Sequence, residues 1–119
     1  MTENKVSVLV PVYGVENYIE KCAKTLFSQT FTEIEYIFVD DCSKDESIKK
    51  LNNIIALYPE RSTSIRIINH EKNKGVAASR QTAINAATCE FILFVDSDDY
   101  IDKEMVEELF FKALSDKAD

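Results

Sequence analysis

The segment Val6-Ser7-Val8-Leu9-Val10-Pro11-Val12 is almost wholly apolar and rich in β-branched residues. It lacks the polar alternation of a half-exposed strand, so it fits a strand covered on both faces, as in a parallel α/β sheet. Three more such runs follow: Ile34 to Val39, Ile65 to Ile68 and Phe91 to Val95. The last is uninterrupted and is expected at the centre of the sheet. Segments of helical spacing separate them. Val15, Tyr18, Ile19, Cys22 and Leu26 form one stripe. Ser43 and Glu46 make an S-x-x-E capping box for a helix that Pro59 should end after Tyr58. Val76 to Ala87 is alanine-rich and slim enough to lie close to a sheet. Asp102 is placed to cap a last helix, with Ile101 and Val106 as its hydrophobic staple and Met105, Leu109 and Phe110 facing inward. This order is (βα)₄, an α/β fold with a mostly parallel sheet and right-handed crossovers.

A chain of 119 residues suits one domain, so residues 1–119 are read as a single region. With 45% apolar and 29% charged residues, disorder is excluded. The net charge of −7 argues against general nucleic-acid binding. Cys22, Cys42 and Cys89 are odd in number and form neither a CxxC pair nor a zinc pattern. They read as small buried hydrophobes in a reducing compartment. No apolar run approaches the roughly 18 residues of a membrane helix, and the polar start is unlike a signal peptide. A cytoplasmic chain is expected.

The negative charge is uneven, with nine acids against three bases from Asp96 to Asp119. A solvated helix face accounts for Glu104, Glu107 and Glu108 but not obviously for Asp96, Asp98 and Asp99. Ligands of parallel sheets bind beyond the carboxyl ends of the strands. Those ends are Pro11-Val12-Tyr13-Gly14, Asp40-Asp41-Cys42-Ser43, Asn69-His70-Glu71 and Asp96-Ser97-Asp98-Asp99. Three carboxylates within four residues repel one another unless a cation lies among them, and hard oxygen ligands suit Mg²⁺ or Mn²⁺. The plainer reading is a polar loop with one Asp capping a helix. Asp40-Asp41 offers acceptors for a ribose or a base, or else caps the helix near Ser43. Asn73-Lys74-Gly75 with Arg80 is a turn whose N–H groups could face an anion, or simply a glycine turn with a surface arginine. With two glycines in the chain, neither GxGxxG nor GxxxxGK[ST] occurs, which removes dinucleotide and P-loop sites. His70 has no Ser or Cys partner in sequence and reads as an exposed loop histidine.

Taken in order, several blocks carry a resemblance: Val8-Leu9-Val10-Pro11-Val12-Tyr13, Leu26-Phe27-Ser28-Gln29-Thr30-Phe31, Phe38-Val39-Asp40-Asp41-Cys42-Ser43-Lys44-Asp45, Asn73-Lys74-Gly75, Ser79-Arg80 and Phe94-Val95-Asp96-Ser97-Asp98-Asp99. Together they resemble the donor-binding half of a family 2 inverting glycosyltransferase of the Rossmann-like GT-A fold. The resemblance implies that Pro11, Val12 and Tyr13 line a nucleotide pocket, with Glu16 near its edge and Gly75 in the facing turn. Asp41 would bond the base, uracil in much of the family, and Arg80 would lie near the nucleotide or its phosphates. Asp96-Ser97-Asp98 would be the D-x-D, with Asp98 the best ligand for Mn²⁺ or Mg²⁺ and Asp96 on ribose or metal-bound water. The implied partners are a nucleotide-sugar donor, in much of the family a UDP-sugar, and a glycan or lipid-linked acceptor in the parent enzyme.

Four positions depart from the family pattern. Cys42 and Cys89 stand where glycine is usual, Gln81 where asparagine follows the arginine, and Gly14 where asparagine follows the tyrosine. The family's general base and acceptor-binding half lie well beyond the D-x-D. The chain therefore reads as an N-terminal fragment that contains no catalytic base and is inactive alone, with self-association at an uncovered strand edge and the parent at or near the inner face of the membrane left open. A non-catalytic nucleotide-sugar-binding or interaction module on the same fold is the alternative. A haloacid-dehalogenase-type phosphatase carries its D-x-D after the first strand, and a response-regulator receiver needs acids where this chain has Pro11-Val12-Tyr13.

Overall fold

A computed structural model describes residues 3–117 and gives the order β1 (Val6–Val12), α1 (Ile19–Phe27), β2 (Ile34–Asp40), α2 (Ser47–Ile55), α3 (Pro59–Ser62), β3 (Ile65–Asn69), α4 (Val76–Ala86), β4 (Phe91–Phe94) and α5 (Met105–Lys117). The four strands pair in parallel in the order β3-β2-β1-β4. The expected α/β class and parallel sheet are therefore present. The position of β4 is not as expected. Among the described residues it pairs with β1 alone, over Val6↔Phe91 to Leu9↔Phe94, and its outward side chains Ile92 and Phe94 are exposed. The centre is held by β1 and β2. Apolar continuity over four residues cannot distinguish a central strand from an edge packed under a helix.

Alternation along β1 divides the core. Val6, Val8, Val10 and Val12 face one side, where Ile19, Cys22, Leu26 and Phe27 of α1, Leu51 and Ile54 of α2 and Val106 and Phe110 of α5 cover them. Leu9 faces the other side with Ile37 and Val39 of β2, under Ala83 and Ala86 of α4. Strand progression runs outward from β1 to β3 and then jumps back across β1 to β4. With every crossover of one hand, that reversal puts α4 on the opposite face from α1 and α2. Alanines on α4 let it sit close to the sheet. The reversal also makes a switch point at the carboxyl ends of β1 and β4, where parallel sheets bind ligands.

Helix starts differ from the sequence expectations for identifiable reasons. α1 begins at Ile19, after a turn closed by Tyr18 N–H and Ile19 N–H on the Val15 carbonyl. Ser43 does not cap α2. Its hydroxyl accepts the Gly14 N–H at 3.2 Å, its own N–H goes to Asp40, and Asp45 takes the Ser47 N–H and hydroxyl at 3.0 and 2.6 Å. Pro59 opens the short α3 instead of ending α2, as suits its fixed φ at a first helical position. Asp102 contributes its carbonyl, not its carboxylate, to the Met105 N–H. The first turn of α5 is capped from afar by Gln29. This buried side chain accepts the Val106 N–H at 3.0 Å and donates to the Thr25 and Asp102 carbonyls at 3.1 and 2.7 Å. Ile101 and Val106 do pack in one cluster, as a staple should.

Gln29 thus fixes the segment following β4 to the end of α1. Replacing it by leucine leaves an N–H and two carbonyls short of partners in a buried place. Gln29→Leu is expected to lower the unfolding free energy by about 2–4 kcal/mol, read as a shifted urea midpoint at unchanged slope.

Candidate functional site

The carboxyl ends of β1, β2 and β4 and the start of α4 surround a cavity of about 530 Å³. Its lining includes Pro11, Val12, Tyr13, Asp41, Gly75, Asp96, Ser97 and Asp98, eight of the residues the sequence singled out. Val15, Asn73, Val76 and Ser79 also line it. Asn73 and Ser79 stood inside quoted motifs, whereas Val15 and Val76 carried only a helical or apolar signal. Glu16 and Arg80 are not part of the lining. The Glu16 carboxylate accepts the Glu46 N–H at 3.2 Å, at the start of α2. Arg80 pairs with Asp96 at 3.5 Å, its guanidinium lying 5.7 Å from the Phe94 ring centre.

Two groups of acids on this rim have opposite surroundings. Asp41 is 3% exposed, and its carboxylate is surrounded by donors. Lys74 N–H and His70 Nδ1 reach Oδ1, each at 2.8 Å, and Gly75 N–H reaches Oδ2 at 2.8 Å. Burial alone would weaken the acid, but the hydrogen bonds from His70, Lys74 and Gly75 outweigh it and hold the carboxyl below its ordinary range. A carboxylate has about four acceptor positions, so one on Oδ2 is left over, and Asp41 is among the residues lining the cavity. Asp41 caps no helix near Ser43; that N–H belongs to Asp40. His70 is not the exposed loop histidine expected from sequence. Its ring is buried between Asp41 and the Thr82 hydroxyl, which lies 2.8 Å from Nε2. The partner is an acid and a threonine from distant segments, which a search for nearby Ser or Cys could not find.

Asp96, Asp98 and Asp99 are exposed, and one carboxylate oxygen from each lies within 4.8 Å of the others. Three hard oxygens converging in this way fit a divalent cation. Beneath them the Cys22 thiol reaches toward the Asp96 carbonyl at 3.7 Å. Burial, and then the charges of Asp99, Asp98 and Asp96, push it up to about 12, so it is an inert core group. Cys22 alone matches the expected small buried hydrophobe; Cys42 and Cys89 are half-buried.

The turns around the cavity use unusual backbone. Gly75, ahead of α4, has φ +96° and ψ 166°, a region only glycine enters freely. Gly14 and Cys42 both have φ +62°. The position where the resemblance leads one to expect glycine is thus left-handed here, with a cysteine occupying it.

Residues 7–119 match the family described as Glycosyl transferase family 2. The chain belongs to that family. It is 38% identical over 119 residues to glycosyltransferase GlyA of Streptococcus pneumoniae, covering 100% of this chain and 16% of that protein. It is 40% identical over 114 residues to the glycosyltransferase EpsJ of Bacillus subtilis, covering 96% of this chain and 32% of that protein. The chain therefore spans a third or less of these relatives. The crystal structure of Staphylococcus aureus TarS 1–349 in complex with UDP-GlcNAc superposes with a TM-score of 0.77 at 38% identity, over 89% of this chain and 30% of that one. The family 2 sheet, helices and rim described above are thus a GT-A fold.

Two outcomes follow from the site. An acid stronger in the folded than the unfolded chain adds stability above its ordinary value of 3.8, and that stability is lost as pH falls through the folded value. Asp41→Asn should flatten the loss of stability below about pH 4, measured by unfolding at stepped pH. Cys42→Gly should raise stability by about 1 kcal/mol, because glycine adopts positive φ without a Cβ clash. No gain would mean that the thiol contact to the Glu71 carbonyl, at 3.6 Å, offsets the backbone cost.

Proposed function

We propose that this chain binds a nucleotide-diphospho-sugar, a UDP-sugar in the first instance, as the donor region of an inverting glycosyltransferase. The observation that carries the reading is the conjunction at one rim of a buried acid held by three donors and three exposed, converging ones, with Asp41, Asp96 and Asp98 lining a single cavity. In this reading Pro11, Val12 and Tyr13 form the wall against the nucleoside. The remaining acceptor position of Asp41 takes a ring N–H of the base. Asp98 and Asp96 hold Mn²⁺ or Mg²⁺, and the cation's contribution is to offset charge on the departing diphosphate. Arg80 holds Asp96 when no other cation does, and a cation in that place leaves the guanidinium to pair with a donor phosphate. Glu16 stays at the periphery, supporting α2. The TarS complex with UDP-GlcNAc supports the choice of uridine, since this chain shares 38% identity with it.

Inverting transfer also requires a base on the acceptor side of the anomeric carbon. The acids lining this cavity, Asp41, Asp96 and Asp98, all have nucleotide or metal roles in this reading. We therefore assign the base, and the glycan or lipid-linked acceptor, to other parts of a longer enzyme. Among the described residues no helix is long and apolar enough to cross a membrane.

Calorimetric titration of UDP with and without Mn²⁺, on the wild type and Asp98→Asn, tests the donor and metal roles together. UDP should bind at least about tenfold more tightly with Mn²⁺, and the substitution should abolish that difference. Equal affinity in all four titrations would remove the metal from the reading. No binding of any uridine nucleotide would remove the function.

A further inference from the structure

We propose that His70 is a positioning residue for recognition of the donor base, acting through Asp41. The inference rests on the donor-binding reading above and adds to it a residue outside the cavity lining. An ionised carboxylate only accepts hydrogen bonds, so the contact of 2.8 Å to Asp41 Oδ1 requires the proton on His70 Nδ1. In the neutral ring Nε2 is then an acceptor, and it takes the Thr82 hydroxyl proton at 2.8 Å. The orientation of the ring is fixed at both ends, and its main-chain N–H continues the β2–β3 ladder onto the Asp40 carbonyl at 2.9 Å.

This chain of bonds joins the parts that must agree if the cavity is to have one shape. Asp41 follows β2, and its own N–H bonds the Val12 carbonyl at the end of β1. His70 follows β3. Thr82 lies in α4, whose preceding glycine also donates to Asp41. His70 therefore occupies one side of Oδ1 and Lys74 another, while Gly75 takes Oδ2, which leaves the carboxylate plane no freedom to rotate. The acceptor position left on Oδ2 is fixed by elimination, on a residue that lines the cavity. An acceptor held in one direction selects bases that present a ring N–H there, such as the imide of uracil, over cytosine, whose corresponding nitrogen is itself an acceptor. Without His70 the carboxylate keeps one donor on each oxygen and can tilt about that pair, so its spare acceptor position can meet the exocyclic N–H of cytosine as well as the imide of uracil. The consequence is a loss of base selectivity that leaves diphosphate binding intact.

The test uses the 119-residue chain with Mn²⁺ and three probes: UDP, CDP and pyrophosphate. His70→Phe fills the same space without the donor. It should weaken UDP about tenfold, the size of one hydrogen bond to a charged group, and narrow the UDP/CDP ratio, with pyrophosphate changed less than about twofold. His70→Asn, whose side-chain N–H can take the place of Nδ1–H, should restore much of the ratio. A ¹⁵N spectrum of the ligand-free protein should show His70 protonated at Nδ1. Parallel weakening of UDP and pyrophosphate, an unchanged UDP/CDP ratio in His70→Phe, or a neutral ring carrying its proton on Nε2 would each overturn the proposal. Failure of the wild type to bind UDP, with the Nδ1 proton still observed, would instead count against the donor reading on which it rests.

Discussion

β1 has no face to give to water. Its valines pack under α1 and its Leu9 under α4, so the strand is committed on both sides before any chemistry is considered. A strand in that position can offer polar interactions only at its ends. Because β2 lies on one side of it and β4 on the other, three strand ends converge beside its carboxyl terminus. The cavity is a consequence of that arrangement. Pro11 is half-buried within β1 near this end, and Tyr13 leaves the sheet exposed just beyond it.

The acids around the cavity show how one side-chain type is given two jobs by its surroundings. Asp41 is desolvated, but amides and an imidazole supply the hydrogen bonds that water would have made, so it remains charged and immobile. Asp96, Asp98 and Asp99 are exposed to water and, among the described residues, have no comparable set of donors; Arg80 answers one of them. The first arrangement is suited to reading direction and the second to holding a counter-charge that arrives with a ligand. A similar carboxylate anchor stands at the other end of the sheet. Glu35 is buried, which would raise it, yet bonds from Ser7 and Thr88 hold it below its ordinary range. It ties the α4–β4 connection to β1 and β2, so both ends of α4 are fixed by buried acids.

Much of this was legible in the sequence because parallel strands and their terminal acids are local signals. The runs from Val6 and from Ile34 announce buried strands, and Asp40-Asp41 and Asp96-Ser97-Asp98 mark where they stop. What was not legible depends on contacts across the fold. Glu46 looked like half of a capping box, but the hydroxyl of Ser43 was claimed by Gly14 across the β1–α1 turn. Gln29 looked like a helix end and proved to be the cap of another helix, 77 positions away. His70 looked idle because its partners are 29 and 12 positions distant. Residues whose partners are set by topology cannot be assigned by spacing.

The positions that depart from the family pattern give the same lesson in the opposite direction. Gly14 and Cys42 share φ +62°, and they lie on adjoining turns that frame the cavity. Glycine occupies such a conformation freely and asparagine tolerates it, so exchanging one for the other at position 14 keeps the turn. A cysteine at position 42 does not have that freedom, yet the turn has the same form. The backbone there is fixed by its neighbours: Asp40 holds the Ser43 N–H, Asp41 is gripped by three donors, and the Cys42 thiol meets the Glu71 carbonyl. The residue accepts an unfavourable conformation because the bonds on either side of it determine where the chain must go. The geometry of Asp41 is thus imposed by the network around it, and the identity of the residue in the turn is secondary to that network.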